Sequence, residues 1–457
     1  MSGFKFDTTP QELTHVNTRY RTVKTKLPVP ESLPILESLD QYESISMHGQ
    51  LPIVWDRAED FQVFDAWGNK WIDFTSTIFV ANAGHANKRV IEAIQNVINK
   101  PLLHTYTYAS KERADYLKYL IDNTPPQFEK AFLLSAGTEA TEAALKLMRL
   151  NGRKKGKRRP GIIAFEGNWH GRTVGAQMMG FNPSQKEWIG FLDPNIFHLP
   201  FPYPWREDAM KDPAIYFQKN LEALFLEKNL DPSQDIAGIM METFQGWGAV
   251  TYPPEFVKEV ESFARGNDIL LSFDEMQSGF GRTGRLFGYM NYGVEPDLLA
   301  CGKGASSGVP LSIVLGSREV MDLPEIGSMS STHSANPLVC AVGKANLQAL
   351  IDDGLIDKAQ KQGLVFHCLL NDLKKKYPKH LKYVLGMGMV AAIIFYDDEG
   401  KPLCDLCNHI AELAMQKGLL VVHTGRESIK LAPPLTIPEE AMMEGIAVLD
   451  ECIAESI

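Results

Sequence analysis

The stretch ILLSFDEMQSGFGRTGRLFGYMNYGVEPDLLACGKG, residues 269–304, contains two short apolar runs that each lead into charged side chains. The run ILLSF is followed by Asp274 and Glu275, and the run LLAC is followed by Gly302 and Lys303. A short apolar run of this kind is typical of a buried strand. Because an unpaired carboxylate is costly to bury, we expect a cationic partner for at least one of the two acids.

Strand patterns alternate with helix patterns before this stretch. AFLLS (131–135), GIIAF (161–165) and IAGIMMETF (236–244) are typical of strands, whereas TEATEAALKLMRL (138–150) and EFVKEVESFARGN (255–267) are typical of helices. Strands separated by helices predict an α/β fold with a mostly parallel sheet that is covered on both faces.

The helical character increases after about residue 335, around one strand pair in LKYVLGMGMVAAIIFY (381–396). We therefore predict a large domain over residues 71–334 and a smaller α+β domain over residues 335–457. An N-terminal segment, residues 1–70, is expected to join the smaller domain. A chain of 457 residues is long enough for this arrangement.

In an open α/β sheet, ligands gather at the carboxyl ends of the strands. Thr138 lies where a helix begins, and the free N–H groups and dipole of a helix N-terminus favour a phosphate. Trp169 follows a strand, and an indole at that place can stack on a flat ligand. The candidate residues at the ends of the earlier strands are Ser135, Gly137, Thr138, Trp169, His170, Glu242 and Trp247.

The bulk properties are those of an ordinary globular protein, with 44% hydrophobic and 22% charged residues. A net charge of −10 and a pI near 5.6 argue against a nucleic-acid surface. We expect the basic run NGRKKGKRRPG (151–161) to be a solvated connecting loop. No segment has 18 uninterrupted apolar residues, so we expect no membrane span.

The six cysteines are few and scattered, which favours reduced thiols over a disulfide framework. Cys404 and Cys407 form a lone CxxC, which we interpret as two semi-buried thiols and not as a redox or metal site. The start MSGFKFDTTPQELTHVNTRYR lacks the apolar region of a secretory signal. We therefore expect a cytoplasmic protein that needs no metal.

Two nucleotide-binding motifs are matched only in part. Residues 279–284 read GxGxxG after a strand, but residues 282–292 lack the helix pattern that a dinucleotide fingerprint requires. Lys303 is followed by Gly304 where a P-loop has Ser or Thr, and the earlier P-loop glycine is missing. Neither motif therefore favours a nucleotide.

A phosphate cradle, a flat aromatic side chain, a buried acid and a lone lysine are together the requirements of pyridoxal phosphate. The lysine forms the Schiff base, and the acid keeps the pyridine nitrogen protonated so that the ring accepts electrons. This interpretation explains why one lysine, Lys303, stands among glycine, alanine and serine residues in LLACGKGASSGVP (298–310).

The chain resembles the class III (ornithine/omega-amino acid type) aminotransferases of pyridoxal-phosphate fold type I. The resemblance is carried by collinear segments that span roughly residues 50–450: IDF (72–74), AGH (83–85), SAGTEATEAALKLMR (135–149), NWHGRT (168–173), residues 274–304, STHSANPLVCA (331–341) and LAPPL (431–435). It implies an aminotransferase of fold type I that transfers an amino group from an amine or amino acid to a keto acid or aldehyde by a ping-pong mechanism.

The resemblance also implies roles for individual residues. Lys303 is then the Schiff-base lysine and proton carrier, and Asp274 is the partner of the pyridinium nitrogen. Since a lysine with a pKa near 10.4 cannot act as a base, the site must lower the pKa of Lys303. The other residues that the resemblance places around the cofactor are Ser135, Gly137, Thr138, Trp169, His170, Glu242, Met276 and Gln277.

Thr332, in the segment STHSANP, resembles a threonine that reaches the cofactor phosphate of the neighbouring subunit. The resemblance therefore implies a homodimer with a shared active site. Whether such dimers pair further is not determined by the sequence.

The chain departs from the family in the substrate pocket. Relatives that use glutamate carry an acid and an arginine where this chain has Trp247 and Lys430, and a lysine cannot form the two-pronged contact of an arginine. Arg426 could supply a carboxylate contact instead, or it could be simply exposed to solvent. Phe79 stands where relatives have a small turn with glycine, and we expect it to narrow the pocket.

The sequence does not exclude other functions that occur on the same fold. Amino-acid racemases, epimerases and aminomutases of the same fold would keep Lys303 and Asp274 but never release the keto product. A dinucleotide enzyme or a cofactor-binding protein without catalysis is the weaker alternative.

Overall fold

A seven-stranded sheet forms the centre of the computed structural model, which describes residues 4–457. Its strand order is β6-β14-β13-β12-β9-β7-β8, and only β14 runs antiparallel to its neighbours. The predicted α/β fold with a mostly parallel sheet is thus confirmed. The strands of the whole chain are β1 (Val16–Asn17), β2 (Thr22–Val23), β3 (Arg57–Glu59), β4 (Gln62–Phe64), β5 (Lys70–Asp73), β6 (Lys130–Leu134), β7 (Gly161–Phe165), β8 (Ile196–Leu199), β9 (Ile236–Glu242), β10 (Phe244–Gln245), β11 (Val250–Thr251), β12 (Leu270–Asp274), β13 (Leu298–Cys301), β14 (Ser312–Gly316), β15 (Leu381–Met387), β16 (Val390–Phe395), β17 (Leu419–Leu420), β18 (Val422–His423) and β19 (Ser428–Leu431).

Helices cover this sheet, and its central strands are therefore apolar along their whole length. Every residue of β7, β9, β12 and β13 is buried. The helices are α1 (Leu33–Tyr42), α2 (Ser76–Phe79), α3 (Lys88–Asn99), α4 (Lys111–Asp122), α5 (Gly137–Lys154), α6 (Val174–Met179), α7 (Glu207–Lys211), α8 (Pro213–Lys228), α9 (Pro232–Asp235), α10 (Pro254–Gly266), α11 (Arg318–Met321), α12 (Pro337–Asp352), α13 (Leu355–Lys376), α14 (Cys404–Gln416) and α15 (Glu439–Ser456).

Helix α5 lies close to the sheet because two glycines leave room for it. A Cβ on Gly152 would come within 2.6 Å of the Cβ of Ala237, and a Cβ on Gly238 would meet the side chain of Met148. This close approach fixes the N-terminus of α5 next to the carboxyl ends of the central strands.

The prediction of a solvated loop over residues 151–161 is wrong for part of that run. Helix α5 continues to Lys154, and the Lys157 side chain is buried. Lys157 Nζ donates to the carbonyl oxygens of Ser233 at 3.1 Å and Asn267 at 2.9 Å. The basic composition suggested that this run is exposed to solvent. A lysine can nevertheless bury its aliphatic stem while its ammonium group donates to backbone oxygens.

The rejection of a dinucleotide fingerprint at residues 279–284 is confirmed. Residues 275–297 form turns and one short 3₁₀ segment, Gly288–Asn291, with no α-helix. A helix N-terminus that could hold a pyrophosphate is therefore absent from this part of the described chain.

Two smaller sheets lie outside the central one. An antiparallel sheet of order β15-β16-β19-β18 packs against α13 and α14. A second sheet, of order β1-β2-β5-β4-β3, is extended by β17, which pairs with β5. The N-terminal strands thus share a sheet with a strand from the C-terminal part, although the boundaries at residues 71 and 335 stay predictions.

The thiols of the CxxC pair are poor candidates for redox chemistry. All six cysteines are free, and Cys407 is buried while Cys404 is half-buried. Burial raises the pKa of both thiols, whereas a reactive cysteine needs a lowered pKa. Residues 4–457 contain no group of three or more side chains placed to hold a metal ion. None of the helices in this range is both long and apolar enough to cross a bilayer.

Candidate active site

The carboxyl ends of β9, β12 and β13 bring three charged side chains together. Asp274 lies opposite Glu242 on β9 and Ala300 on β13, so the two carboxylates stand on adjacent strands in the same register. Lys303 follows two residues after the end of β13. Asp274 and Lys303 thus lie at the same edge of the sheet, but no ion pair joins them within the described residues.

Lys303 occupies an unusual backbone conformation in this cluster. Its φ angle of 44° lies in the left-handed region, which is unfavourable for a residue with a side chain. Asn346 of α12 holds the following turn, since its Nδ2 donates to the Gly304 carbonyl at 2.9 Å and Ser307 Oγ donates to its Oδ1 at 2.5 Å. The strained position of Lys303 is thus fixed by a buried amide.

The Lys303 ammonium makes no hydrogen bond or ion pair within the described chain. Burial lowers the pKa of Lys303, and the carboxylates of Asp274 and Glu242 act in the opposite direction. A lysine whose pKa is lowered by burial is suited to act as a nucleophile and as a base.

Asp274 is partnered by a histidine and not by a lysine or arginine. His170 Nδ1 lies 2.9 Å from Asp274 Oδ2, the Met276 N–H donates to Asp274 Oδ1 at 3.0 Å, and Asn168 Nδ2 lies 3.2 Å from His170 Nε2. His170 is fully enclosed behind Asp274. We therefore assign it to the orientation of Asp274 and not to direct contact with a ligand.

Glu242 links two of the strand ends. The N–H of Trp169 donates to Glu242 Oε1 at 2.9 Å, and the N–H of Gly246 donates to Glu242 Oε2 at 3.0 Å. Burial, and next the charge of Asp274, raise the pKa of Glu242 well above its usual value. Glu242 thus joins the segment after β7 to the segment after β9.

The N-terminus of α5 offers free N–H groups beside this cluster. Glu139 Oε2 accepts from the N–H groups of Ser135 at 2.8 Å and Ala136 at 2.9 Å. The N–H groups of Gly137 and Thr138 find no acceptor among the described residues, as expected for the first turn of a helix. A phosphate group is well matched to these two donors.

Met276 fills a slot between two glycines. A Cβ on Gly137 would lie 2.8 Å from the Met276 sulfur, and a Cβ on Gly302 would lie 2.6 Å from it. Trp169 is half-buried on the segment after β7, and the Arg172 guanidinium lies 4.8 Å from its ring centroid. A sulfur atom and an indole ring are thus both available to pack against a flat ligand.

Gln277, Lys430 and Phe79 form one side of the same site. Lys430 Nζ donates to Gln277 Oε1 at 3.3 Å and lies 4.8 Å from the Phe79 ring centroid. Burial, and next the charge of Lys303, lower the pKa of Lys430 to about 7, while Glu242 opposes this shift. Gln277 approaches closely because residue 246 is glycine, whose Cβ position the Gln277 amide occupies.

Arg426 is exposed to solvent, and its side chain also has two partners within the chain. Its guanidinium lies 3.9 Å from the Trp247 ring centroid, and its Nη2 donates to Glu427 Oε1 at 2.9 Å. The side chain of Glu427 is buried. Arg426 is therefore a partly exposed cation with two partners of its own.

An aromatic cluster around Trp247 was not predicted. Tyr203 and Trp205 are stacked at 4.7 Å, and the Trp205 ring lies 6.3 Å from Trp247 and 5.3 Å from Tyr383. The run FPYPW (201–205) after β8 was the available signal, because two prolines keep its aromatic side chains in an extended loop.

Thr332 belongs to a segment that contacts the start of α5, since Ser334 Oγ lies 3.0 Å from Ser135 Oγ. It is exposed, and its carbonyl oxygen accepts from His104 Nε2 at 2.7 Å. Leu103, next to His104, and Ile326, six residues before Thr332, are exposed to solvent.

The residues present fit pyridoxal phosphate. Lys303 is free to form a covalent bond, Asp274 is oriented by His170, and Gly137 and Thr138 have unused N–H groups. Met276 and Trp169 supply packing surfaces for a flat ring. A site of this composition belongs to the class of pyridoxal-phosphate enzymes in which a lysine holds the cofactor and an acid faces its ring nitrogen.

Comparison with known proteins assigns the family. The sequence model of the class-III aminotransferases matches residues 45–453, so the chain belongs to this family of pyridoxal-phosphate-dependent transaminases. The 2-aminoadipate transaminase of Pseudomonas putida is 32% identical over 414 residues, which cover 88% of this chain and 96% of the relative. The alanine/serine racemase of Pyrococcus horikoshii is 28% identical, with 100% of this chain and 98% of the relative covered.

The fold agrees with that of solved members of the family. The crystal structure of the ornithine aminotransferase from Toxoplasma gondii has a TM-score of 0.82 and 25% sequence identity, with 95% of this chain and 96% of that chain covered. The expectations of fold type I, of a transaminase and of pyridoxal phosphate are confirmed.

Proposed function

We propose that this aminotransferase uses Lys303 to hold the cofactor and to move the proton, with Asp274 facing the ring nitrogen. The observation that carries the proposal is the free Lys303 ammonium next to a carboxylate that a buried histidine orients. Pyridoxal phosphate supplies a ring that takes up the electron pair left when the Cα–H bond of the substrate breaks.

The protein's own groups then perform three tasks. With the cofactor bound, Asp274 would hold a proton on the ring nitrogen, and His170 would fix that carboxylate. Gly137 and Thr138 would bind the phosphate, and Trp169 and Met276 would pack against the ring. Lys303 Nζ would accept the proton of the substrate because burial lowers its pKa.

The proposed donors are amino acids, and the acceptors are keto acids. The names of the relatives support this, since 2-aminoadipate and ornithine both carry at least one carboxylate and one amino group. Trp247, Phe79 and Lys430 are the residues proposed to shape the substrate pocket. The aromatic side chains restrict its width, and Lys430 supplies its positive charge.

The proposed assembly is a homodimer in which Thr332 of each subunit completes the phosphate site of the other. Its support is the exposure of Thr332 together with the resemblance of the segment STHSANP to the family. We also propose a cytoplasmic location, which the six free thiols favour. Cell fractionation tests this point.

A panel of amines and amino acids, each offered with pyruvate or 2-oxoglutarate, tests the function. We expect the visible absorbance of the cofactor joined to Lys303 to disappear on adding a donor, with the corresponding keto acid formed in equal amount. Lys303→Ala should remain folded but lose the absorbance and the activity.

Unchanged turnover of the Lys303→Ala protein would contradict the proposed role of Lys303. Loss of optical activity from a single enantiomer, without any keto acid, would contradict transamination and indicate a racemase.

A further inference from the structure

Asn346 is a buried amide on the face of α12 that packs against the segment after Lys303. The other buried residues of α12 are Pro, Gly, Ala, Cys, Val or Leu, and Asn346 itself is 0% exposed. A side-chain amide in apolar surroundings destabilises a protein unless it is hydrogen-bonded. The partners of Asn346 therefore decide whether its burial is costly.

Both partners of Asn346 belong to the turn formed by residues 303–307. Asn346 Nδ2 donates to the Gly304 carbonyl at 2.9 Å, and Ser307 Oγ donates to Asn346 Oδ1 at 2.5 Å. Lys303 and Ser307 have φ angles of 44° and 54°, which are unfavourable for residues with a side chain. One buried amide thus links the residue after Lys303 to the strained residue at the other end of the turn.

Asn82 holds the same turn from the other side. Its Nδ2 lies where a Cβ of residue 304 would be, so only glycine fits at this position. Asn82 Oδ1 accepts from Arg282 Nη2 at 2.6 Å, and the N–H of Ala83 donates to Ser307 Oγ at 3.4 Å. The turn is therefore held between α12 and the segment that contains Asn82.

The backbone of this turn places the Lys303 ammonium. Among residues 4–457, Lys303 Nζ has neither a hydrogen-bond partner nor an ion-pair partner. A lysine side chain is a flexible four-carbon stem, and no contact of its charged end fixes it here. The direction in which the stem leaves the backbone therefore determines which part of the site Nζ reaches.

We propose that Asn346 is a positioning residue for Lys303. Its two hydrogen bonds keep residues 303–307 in the left-handed conformation, so that Nζ stays within the active site and returns to the same place in every catalytic cycle. The proposal goes beyond the proposed function but rests on it, since Lys303 must first hold the cofactor and then move the proton.

Loss of these bonds should affect the chemical step more than substrate binding. Without them, residues 303 and 307 relax towards ordinary φ angles, and Nζ moves relative to the proton that it must accept. A displacement of about 1 Å at a reacting group reduces the rate by about 100-fold. Both hydrogen bonds of the Asn346 side chain go to the turn and neither goes to the substrate pocket, so KM should change little.

The test compares Asn346→Leu with the wild-type holoenzyme, because leucine has a similar size but forms neither hydrogen bond. We expect kcat per bound cofactor to fall by about tenfold or more, while KM changes by less than about twofold. In a stopped-flow experiment, excess keto acid is then added to enzyme that an amino donor has already converted. The visible absorbance of the cofactor joined to Lys303 should return more slowly by a similar factor.

Ser307→Ala is the second variant, and it decides the question if Asn346→Leu does not fold. It removes one of the two hydrogen bonds at a half-buried residue, where a smaller side chain is readily accommodated. We expect its kcat to lie below that of the wild type. If Asn346→Leu does not fold and Ser307→Ala has the kcat of the wild type, the proposal is rejected.

Asn408→Leu is the matched control, because Asn408 is also a buried asparagine within a helix, α14, and its Oδ1 lies 2.5 Å from His423 Nε2. We expect this variant to unfold at a lower temperature but to keep the kcat and the absorbance recovery of the wild type. A kcat of Asn346→Leu within about twofold of the wild type, or an equal loss of kcat in Asn408→Leu, would overturn the proposal.

The wild type and Lys303→Ala separate this proposal from the proposed function. If the wild type forms keto acid and shows the absorbance that depends on Lys303, an unchanged Asn346→Leu protein rejects only the positioning role of Asn346. If Lys303→Ala is fully active, the proposed function itself fails.

Discussion

Asp274 and Glu275 are consecutive acids with opposite surroundings. Asp274 binds a histidine and one N–H group and faces the site. Glu275 is fully buried and accepts from Thr243 Oγ1, Ser278 Oγ and the N–H groups of Gly288 and Tyr289, the last three at 2.7 Å. The first acid is therefore placed for chemistry and the second for structure.

Replacing each acid by its amide separates these two roles. Asp274→Asn keeps the shape but loses one of two acceptor oxygens and the charge that would hold a proton on the ring nitrogen, so we expect kcat to fall by about 100-fold or more with a loss of at most about 1–3 kcal/mol in the free energy of unfolding. The measurements are steady-state kinetics and thermal unfolding of the holoenzyme.

Glu275→Gln is the matched comparison. Gln offers one acceptor oxygen instead of two, so at least one buried N–H group loses its partner, and we expect a loss of about 1–3 kcal/mol in the free energy of unfolding with near-normal kcat for the folded protein. Equal losses of kcat in both variants would contradict this division.

At the scale of single elements, the left-handed turn Ser76–Phe79 has the least favourable backbone conformation in the site. Ile78 has φ 61° and ψ 56°, a left-handed backbone conformation that glycine adopts without strain and that is unfavourable for a β-branched residue. Its side chain is 39% exposed. The strain costs about 1–2 kcal/mol per residue. Strain of this kind is typical of functional sites.

Ile78→Gly should therefore stabilise the protein by about 1 kcal/mol. The control is Ile91→Gly in α3, where an isoleucine with 40% exposure has ordinary helical geometry and the same change should destabilise by about 1 kcal/mol. Chemical unfolding of both variants measures the difference. A destabilised Ile78→Gly protein would show that the side-chain contacts of Ile78 outweigh the strain.

At the scale of the whole molecule, one chain leaves apolar surface uncovered. Helix α1 buries none of its residues, and Leu103 and Ile326 are exposed on the segments that meet at His104 and Thr332. Exposed apolar surface next to Thr332, the residue that we propose completes the site of the other subunit, is consistent with the proposed homodimer.

Leu103→Asp tests this assembly, because an acid at a closely packed interface would be buried without a partner. We expect more monomer in sedimentation velocity and a matching loss of activity, since each monomer would lack the other subunit's Thr332. Leu226→Asp on α8, where the leucine is also strongly exposed, is the control and should remain like the wild type. A fully active Leu103→Asp monomer would contradict the shared site.

Much of the fold and of the cofactor site could be predicted because both depend on local patterns. Apolar runs defined β7, β9, β12 and β13 to within one or two residues, and the residues after each run lie at one edge of the sheet as expected. The partner of Asp274 could not be predicted, because His170 lies 104 residues earlier and meets Asp274 only when β7 and β12 join the same sheet.

The amino-acid sequence by itself determined the α/β architecture, the family, the cofactor and the positions of Lys303 and Asp274, since each depends on which residues follow which strand. Only the tertiary structure decided which of Lys430 and Arg426 lacks an ion-pair partner within the described residues. Lys430 and Arg426 are four residues apart and equally basic in the sequence, but packing buries Lys430 against Phe79 and leaves Arg426 with Glu427 and Trp247. Burial and partners, which are set by contacts between distant segments, give two similar side chains different charges and different roles.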